Sequence, residues 1–172
     1  MGSRDLSSAA TPVRVIALRF VALSLVLLVG WACARQTAPA RELVAYTVVM
    51  PAGWLSGLVG ERPTLITADS LSTSRGSILV RPGCEGVELM LLVCAAVIAW
   101  PGSAHRRLIG VTAACVLLTM ANDLRLAVLL KAIEVDRASF EWLHSFGGPL
   151  LMVAIAAGFL MFWTRPLSRD TQ

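Results

Sequence analysis

Long apolar runs constrain the fold of this 172-residue chain more than any other feature. They cover residues 13–33, 84–100, 108–130 and 144–164. An α-helix rises about 1.5 Å per residue, so about twenty residues cross the roughly 30 Å hydrocarbon core of a bilayer. Hydrophobic residues make up 56% of the chain and charged residues 15%, a balance that excludes an ordinary soluble domain. The runs predict one all-α integral membrane domain over 13–165, a bundle of about four to five transmembrane helices in contact with the lipid bilayer.

The first apolar run allows two interpretations. As a retained span, 13–33 follows a short cytoplasmic lead, 1–12, and crosses from inside to outside. As a cleaved signal peptide, it would end at Ala32-Cys33-Ala34, which has the small-x-small pattern of a cleavage site. We expect the retained span, with a cytoplasmic tail over 166–172 at the other end of the chain.

Two segments between the first and second runs do not have the pattern of straight spans. Residues 41–60 are apolar but contain Pro51 and three glycines, so we expect a broken helix or one that lies at the membrane interface. Residues 61–83 are more polar and hold two short runs of β-forming residues, 65–67 and 78–80, around a Ser/Gly/Asp-rich turn. They predict a small β-hairpin outside the membrane, just before Cys84. A loop without regular structure is the alternative.

Basic and aromatic residues orient the predicted bundle. Arginines are densest in the short pieces that would lie in the cytoplasm: Arg4, Arg14, Arg106, Arg107, Arg165 and Arg169. Tryptophans would lie at the outer interface (Trp31, Trp54, Trp142) and at the inner one (Trp100, Trp163). These features predict a multi-pass protein of the inner (plasma) membrane with both termini inside. The net charge of +4 follows from this topology and does not predict a nucleic-acid partner.

Three polar residues lie where apolar runs begin or end. Cys84 begins the second run, His144 begins the last, and Arg125 lies near the end of the third. Arg125 follows Arg107 by eighteen residues, which in a helix is about 27 Å. An ionisable residue at the edge of a span is costly unless it faces a cavity or the bundle interior. We therefore expect the three side chains to reach the same outer face and to form one site.

These residue types suit acyl transfer. A thiolate attacks a carbonyl carbon, an imidazole removes the thiol proton and later protonates the leaving amine, and a guanidinium stabilises the oxyanion. Asn122, three residues before Arg125 on the same helix face, would orient the guanidinium or donate a further hydrogen bond. Asn122 and Arg81 are thus candidates for binding the substrate or supporting the site. Each residue also has an inert interpretation: a buried thiol, a snorkelling arginine, a histidine that starts a helix, an arginine at the rim of the hairpin.

The remaining cysteines and acidic residues predict little chemistry. The four cysteines show no CxxC and no metal-ligand spacing, so neither a metal nor another cofactor is predicted. Thiol-disulfide exchange at Cys84 would need Cys33 to approach it. Asp123 is expected to pair with Lys131 or to stay solvated.

Three short motifs resemble those of the exosortase/archaeosortase family of membrane transpeptidases. They are Cys84-Glu85-Gly86-Val87-Glu88, Asn122-Asp123-Leu124-Arg125-Leu126, and His144 near the head of the last run. The resemblance covers about residues 60–165 and includes the order of the spans. It implies that Cys84 is the nucleophile, Arg125 the transition-state stabiliser and His144 the acid/base. Family members often carry a small polar residue where this chain has Glu85, and many are longer.

The resemblance also implies a substrate. This is a secreted protein whose C-terminal signal, made of a short motif, a transmembrane helix and a basic tail, is cleaved and transferred to an acceptor at the cell envelope. The sequence leaves open the sorting motif, the acceptor and the oligomeric state. The alternative function is a small membrane scaffold or assembly factor without enzymatic activity, whose outer polar residues bind a partner.

Overall fold

The computed structural model describes residues 13–60 and 62–165. The predicted cytoplasmic lead, 1–12, and tail, 166–172, lie outside the described residues. The α-helices are α1 Val13–Ala34, α2 Ala38–Val44, α3 Met50–Val59, α4 Val87–Ala99, α5 Ala104–Val135, α6 Arg137–Trp142 and α7 Gly148–Trp163. Two π-helical turns join them: the first π-turn, Ala45–Val49, lies between α2 and α3, and the second, Leu143–Gly147, between α6 and α7.

Three helical stretches are long and apolar enough to cross a membrane: α1, α5 and the continuous stretch Arg137–Trp163. With the mainly helical architecture, they confirm the predicted all-α membrane fold. The apolar helix α4 has 13 residues, or about 20 Å. By contrast, α5 has 32 residues, or about 48 Å. A helix of that length standing across a roughly 30 Å core extends beyond it.

Side-chain contacts identify which helix ends lie together. Arg106 Nη2 donates to the carbonyl of Trp163 at 2.7 Å, and its guanidinium lies 5.2 Å from the centroid of the indole. Arg107 Nε donates to the carbonyl of Trp100 at 3.4 Å. The end of α4, the beginning of α5 and the end of α7 therefore share one end of the bundle. The starts of α4 and α7 lie at the other end.

Helices α2 and α3 form one helical stretch with the first π-turn just before Pro51. Proline has no amide hydrogen and its ring crowds the preceding turn, so a local widening keeps the chain helical. The sequence predicted a broken or interface-lying helix over 41–60, and the structure has one helical stretch with a bulge at the first π-turn. Its inner face, with Val49 and Ala52 each 0% exposed, packs on α5, whereas Trp54 on the outer face is 77% exposed.

The polar segment before Cys84 forms a three-stranded antiparallel sheet, one strand more than the predicted hairpin. The strands are β1 Leu65–Ile66, β2 Ser70–Ser72 and β3 Ser77–Leu79, in the order β1-β2-β3. The additional strand arises because Thr67 and Ser70 close a tight turn, in which Thr67 Oγ1 accepts from the N–H of Ser70 at 3.0 Å. Leu71 pairs with Ile78 across β2 and β3, and both side chains are buried.

Two clusters of buried apolar side chains hold these elements together, and α5 contributes to both. The sheet cluster joins α2, α3, the sheet and α5: Val44, Val48, Val49, Ala52, Leu71, Ile78, Val80, Leu126, Leu129 and Leu130. The helix cluster joins α4, α5 and α7: Val93, Cys94, Val97, Ala114, Leu118, Met152 and Ala156. Cys84, Phe140 and Leu143 pack against the sheet cluster. The sheet cluster therefore positions the turn that follows the sheet.

We expect Leu71→Ala to lower the free energy of unfolding by about 2–5 kcal/mol, since it deletes a fully buried side chain. The matched control is Leu79→Ala on the neighbouring strand, where the side chain is 50% exposed. There the free energy of unfolding should fall by only about 0.5 kcal/mol. Thermal unfolding of the purified protein in detergent, followed by tryptophan fluorescence, measures both. Equal losses of stability in the two variants would contradict the role of Leu71 in packing the sheet against the helices.

Candidate active site

The turn over residues 81–86 carries the predicted nucleophile to the start of α4. The N–H of Cys84 donates to the carbonyl of Arg81 at 2.8 Å, which closes the turn. Gly83 and Gly86 have φ angles of +90° and +76°, in the left-handed region that favours glycine. The Cys84 side chain is half-buried and packs against the sheet cluster.

Cys84 and His144 line the same cavity, which has a volume of about 300 Å³. Its other walls come from β3, α5 and α6 and include Arg81, Leu129 and Phe140. His144 lies in the second π-turn and stacks on Phe140, with the ring centroids 5.5 Å apart and the planes inclined by 5°. A thiol and an imidazole from distant parts of the chain thus face one space, which we call the thiol cavity.

The helix that leads to His144 is fixed at its start by Asp136. Asp136 Oδ1 accepts from the N–H of Ser139 at 2.8 Å, and Oδ2 accepts from the Ser139 hydroxyl at 2.5 Å. These hydrogen bonds hold the pKa of Asp136 below its ordinary value. The capped start of α6 sets the direction of the helix, and so places Phe140 and His144 one turn apart at the thiol cavity.

The buried amide of Asn122 connects the turn to Arg125. Asn122 is 1% exposed; its Nδ2 donates to the carbonyl of Glu85 at 3.0 Å, and its Oδ1 accepts from Arg125 Nη1 at 3.4 Å. A Cβ on Gly86 would lie 2.9 Å from the Asn122 side chain. Glycine at 86 is therefore required by close approach as well as by its φ angle. The Asn122 amide therefore links the backbone of Glu85, the residue after Cys84, to the guanidinium of Arg125.

Arg125 lines a second cavity, of about 410 Å³, which we call the arginine cavity. Pro82 and Gly83 line it from the turn, and α7 forms another wall. A Cβ on Gly148 would lie 2.5 Å from Arg125 Nε, so the missing side chain at Gly148 makes room for the guanidinium. Among the described residues, Arg125 Nε is buried and has no hydrogen-bond partner. A buried donor in this state gains free energy when a ligand supplies an acceptor.

The structure brings the predicted site residues to one end of the bundle but not into one cavity. Cys84 and His144 share the thiol cavity, and the exposed Arg81 stands at its wall. Arg125 and Asn122 lie on the arginine cavity and reach the turn through the Glu85 carbonyl. The turn itself borders both cavities. The catalytic roles of these residues remain predictions.

Sequence reasoning missed Phe140 and Gly148. Phe140 precedes His144 by four residues, the spacing that brings side chains together on a helix, so the sequence held a signal for the stack. Gly148 follows another glycine inside an apolar run, where alanine would form a better helix. That anomaly signals a close approach, but not that the approaching group is Arg125.

Acidic residues beside the turn form a polar group with Arg35. Arg35 Nη1 lies 3.9 Å from Glu88 Oε1. Burial, followed by the charge of Glu88, raises the pKa of Glu85, and the charge of Arg35 partly opposes this. Glu85 therefore holds its proton more readily than an exposed glutamate.

The prediction for Asp123 was wrong. The side chain is 4% exposed, and its Oδ1 has no hydrogen-bond partner among the described residues. Lys131 instead pairs with Glu134 at 3.2 Å, because three residues along α5 bring these two onto one face.

The arrangement suits nucleophilic attack on a carbonyl group. A thiol and an imidazole face one cavity, and a guanidinium with a buried, unpartnered N–H lies across the turn. Over residues 13–60 and 62–165, no group of three or more His, Cys, Asp and Glu side chains could hold a metal ion.

Comparison with known proteins gives one family. The sequence model of the transmembrane exosortases matches residues 5–163, nearly the whole chain. Neither the search of curated proteins nor that of solved structures gave a significant match.

We expect Gly148→Ala to destabilise the protein by about 1–3 kcal/mol, since the new methyl group collides with the Arg125 guanidinium and with the backbone carbonyl of Leu143. Gly158→Ala is the matched control on the same helix: a Cβ there has nothing within 4 Å, so the better helix propensity of alanine should stabilise by about 0.5–1 kcal/mol. Thermal unfolding in detergent measures both changes. If both variants were destabilised, or both stabilised, the packing of Arg125 against Gly148 would be contradicted.

Proposed function

The chain belongs to the transmembrane exosortase family, and we propose that it is a cysteine transpeptidase that cleaves C-terminal sorting signals of secreted proteins. Family membership supports the general role of a membrane transpeptidase. The observation that carries the finer proposal is the thiol cavity, in which Cys84 and His144 line one space of about 300 Å³. A cysteine nucleophile needs a base within reach, and His144 is the titratable imidazole on that cavity.

The first half-reaction forms an acyl-enzyme. His144 takes the thiol proton of Cys84, and the thiolate attacks the scissile carbonyl carbon to give a tetrahedral intermediate. Collapse of the intermediate breaks the C–N bond, and the imidazolium returns the proton to the leaving amine. The membrane-anchored tail of the substrate departs, and its upstream part stays on Cys84 as a thioester.

The second half-reaction transfers the acyl group. An acceptor nucleophile attacks the thioester carbonyl and gives its proton to His144. The second tetrahedral intermediate expels the Cys84 thiolate, which recovers the proton from the imidazolium. The product carries a new bond between the substrate's C-terminal carbonyl and the acceptor.

Arg125 stabilises the negative oxygen of both tetrahedral intermediates. Its unpartnered Nε–H and its positive charge lie beside the turn, and Asn122 holds the guanidinium by accepting from Nη1 at 3.4 Å. The scissile segment would cross the turn, with one side in the arginine cavity and the other in the thiol cavity. Asn122 positions Arg125 and does not touch the reacting atoms.

The substrate is a secreted protein with a short motif, a transmembrane helix and a basic tail at its C-terminus. Cleavage takes place at the outer face of the inner (plasma) membrane. The common location of Cys84, Arg125 and His144 at one end of the bundle supports this placement, as does the position of Arg106 and Arg107 at the other end.

We expect Cys84→Ala to abolish processing of a substrate precursor, because the variant lacks the thiol that forms the acyl-enzyme in the proposed reaction. His144→Ala should lower the rate by about 10²–10⁴-fold through loss of proton transfer, and Arg125→Ala by about 10²–10³-fold through loss of oxyanion stabilisation. Immunoblots of a co-expressed candidate substrate, a secreted protein from the same genome with the three-part signal, report precursor and mature forms.

Cys33→Ala is the matched control, since Cys33 is an exposed thiol at the end of α1. That variant should process the precursor normally. Membrane insertion of every variant is checked by fractionation. Normal processing with Cys84→Ala would overturn the mechanism and favour the scaffold function instead.

The side of the membrane is tested by thiol labelling in intact cells. In a Cys33→Ser background, a membrane-impermeant maleimide should label Cys84, because the thiol cavity lies at the outer end of the bundle. Cys94 and Cys115 lie inside the bundle and should stay unlabelled. Labelling only after the cells are opened would place the site on the cytoplasmic side.

A further inference from the structure

Two further cavities lie beside the turn, next to α1 and α2. The polar one, of about 450 Å³, lies between the end of α1, the start of α2 and the sheet. The apolar one, of about 230 Å³, lies between the α2–α3 stretch, α4 and α5. Trp31, Val44 and Glu85 line both, so the two cavities adjoin.

The lining changes from charged to apolar along the bundle. Arg35, Arg41 and Asp69 line the polar cavity, at the level where α1 ends. Met90 and Leu118 line the apolar cavity, deeper among the membrane helices. Charged groups at the helix ends and apolar groups below them match a lipid headgroup and its acyl chain.

Three residues that line the polar cavity carry buried polar atoms without hydrogen-bond partners in the part of the chain that the structure describes. Among the described residues, Trp31 Nε1 and Arg35 Nε are buried donors without an acceptor, and Glu85 Oε2 is a buried acceptor without a donor. Each such group costs free energy until a partner binds. A phosphate group supplies acceptor oxygens for both donors. A hydroxyl or ammonium on the same headgroup supplies a donor for Glu85.

The charges around the polar cavity also favour an anion. The Arg41 side chain has no hydrogen bond or ion pair with any other described residue, and the ion pair of Arg35 with Glu88 is long, at 3.9 Å. Of the two acidic residues in the lining, Glu85 has its pKa raised by burial, which reduces its negative charge. Asp69 already accepts a hydrogen bond from Thr67 Oγ1 at 3.1 Å.

We infer that the two cavities together bind one membrane phospholipid. Its phosphate lies between Arg35 and Arg41 within reach of the Trp31 indole, and its headgroup donor lies on Glu85. One acyl chain fills the apolar cavity beside Met90. The site goes beyond peptide cleavage, since no step of that reaction uses it, and it braces the turn from the side facing α1.

Photo-crosslinking tests the site directly. The purified full chain is placed in phosphatidylcholine nanodiscs that contain a small fraction of phosphatidylglycerol with a diazirine on its acyl chain. After irradiation, peptide mapping should find the label on the peptides that contain Met90 and Leu118. The same diazirine on phosphatidylcholine, whose headgroup has no hydrogen-bond donor, should label these peptides several-fold less.

Substitutions then separate a specific site from general lipid contact. Arg35→Ala combined with Arg41→Ala should reduce the labelling at least about tenfold, as expected for loss of two charge-assisted hydrogen bonds. Trp31→Phe removes only the indole N–H and should reduce it about three-fold while preserving packing. Arg62→Ala is the matched control, because Arg62 lines a different cavity beside α3 and should leave the labelling unchanged.

Three results would overturn the inference. The label could lie only on exposed residues of α1 and α7, which would indicate lipid around the protein and no bound molecule. The two lipids could label Met90 and Leu118 equally. Trp31→Phe and the double arginine variant could both match the Arg62→Ala control.

Discussion

The buried amide of Asn122 is the interaction on which the rest of the site depends. It donates to the Glu85 carbonyl at 3.0 Å and accepts from Arg125 at 3.4 Å, so one side chain fixes the turn against α5 and orients the guanidinium. Inside a low-dielectric bundle such hydrogen bonds are strong, and their loss leaves polar groups unpaired. The amide fits only because position 86 is glycine, where a Cβ would lie 2.9 Å from it. The motifs around Cys84 and Arg125 thus form a single structural unit.

The length of α5 makes this unit possible. Its first half packs with α4 and α7 in the helix cluster, and its second half packs with α3 and the sheet in the sheet cluster. Because one rigid helix belongs to both clusters, the turn after the sheet is held at a fixed height relative to the membrane helices. The capped α6 then returns the chain so that His144 lines the same thiol cavity as Cys84. In the proposed reaction, groups held on packed helices and a closed turn need little reorganisation.

The turn stands among several cavities that differ in chemistry. The thiol cavity is lined by a thiol and an imidazole, and the arginine cavity by a guanidinium. The polar cavity is lined by residues with unpaired hydrogen-bond donors, and the adjoining apolar cavity by hydrophobic side chains. In the proposed reaction the substrate occupies the first two. The inferred lipid occupies the others and leaves the thiol free. A short chain can combine these environments because a turn of six residues presents successive side chains to different sides.

The sequence by itself determined the membrane class, the end of the bundle at which Cys84, Arg125 and His144 lie, and the family. The length of each apolar run and the rise per residue of a helix give the depth of a residue in the membrane. Estimating that depth does not require knowing which helices pack together. Only the tertiary structure decided which of these residues share a cavity, that Asp123 is buried, and that Gly148 seats Arg125. Helix α7, and α4 beyond its first turn, are apolar on all sides, so their sequences do not reveal which face packs against which neighbour. That choice depends on packing between residues far apart in the chain.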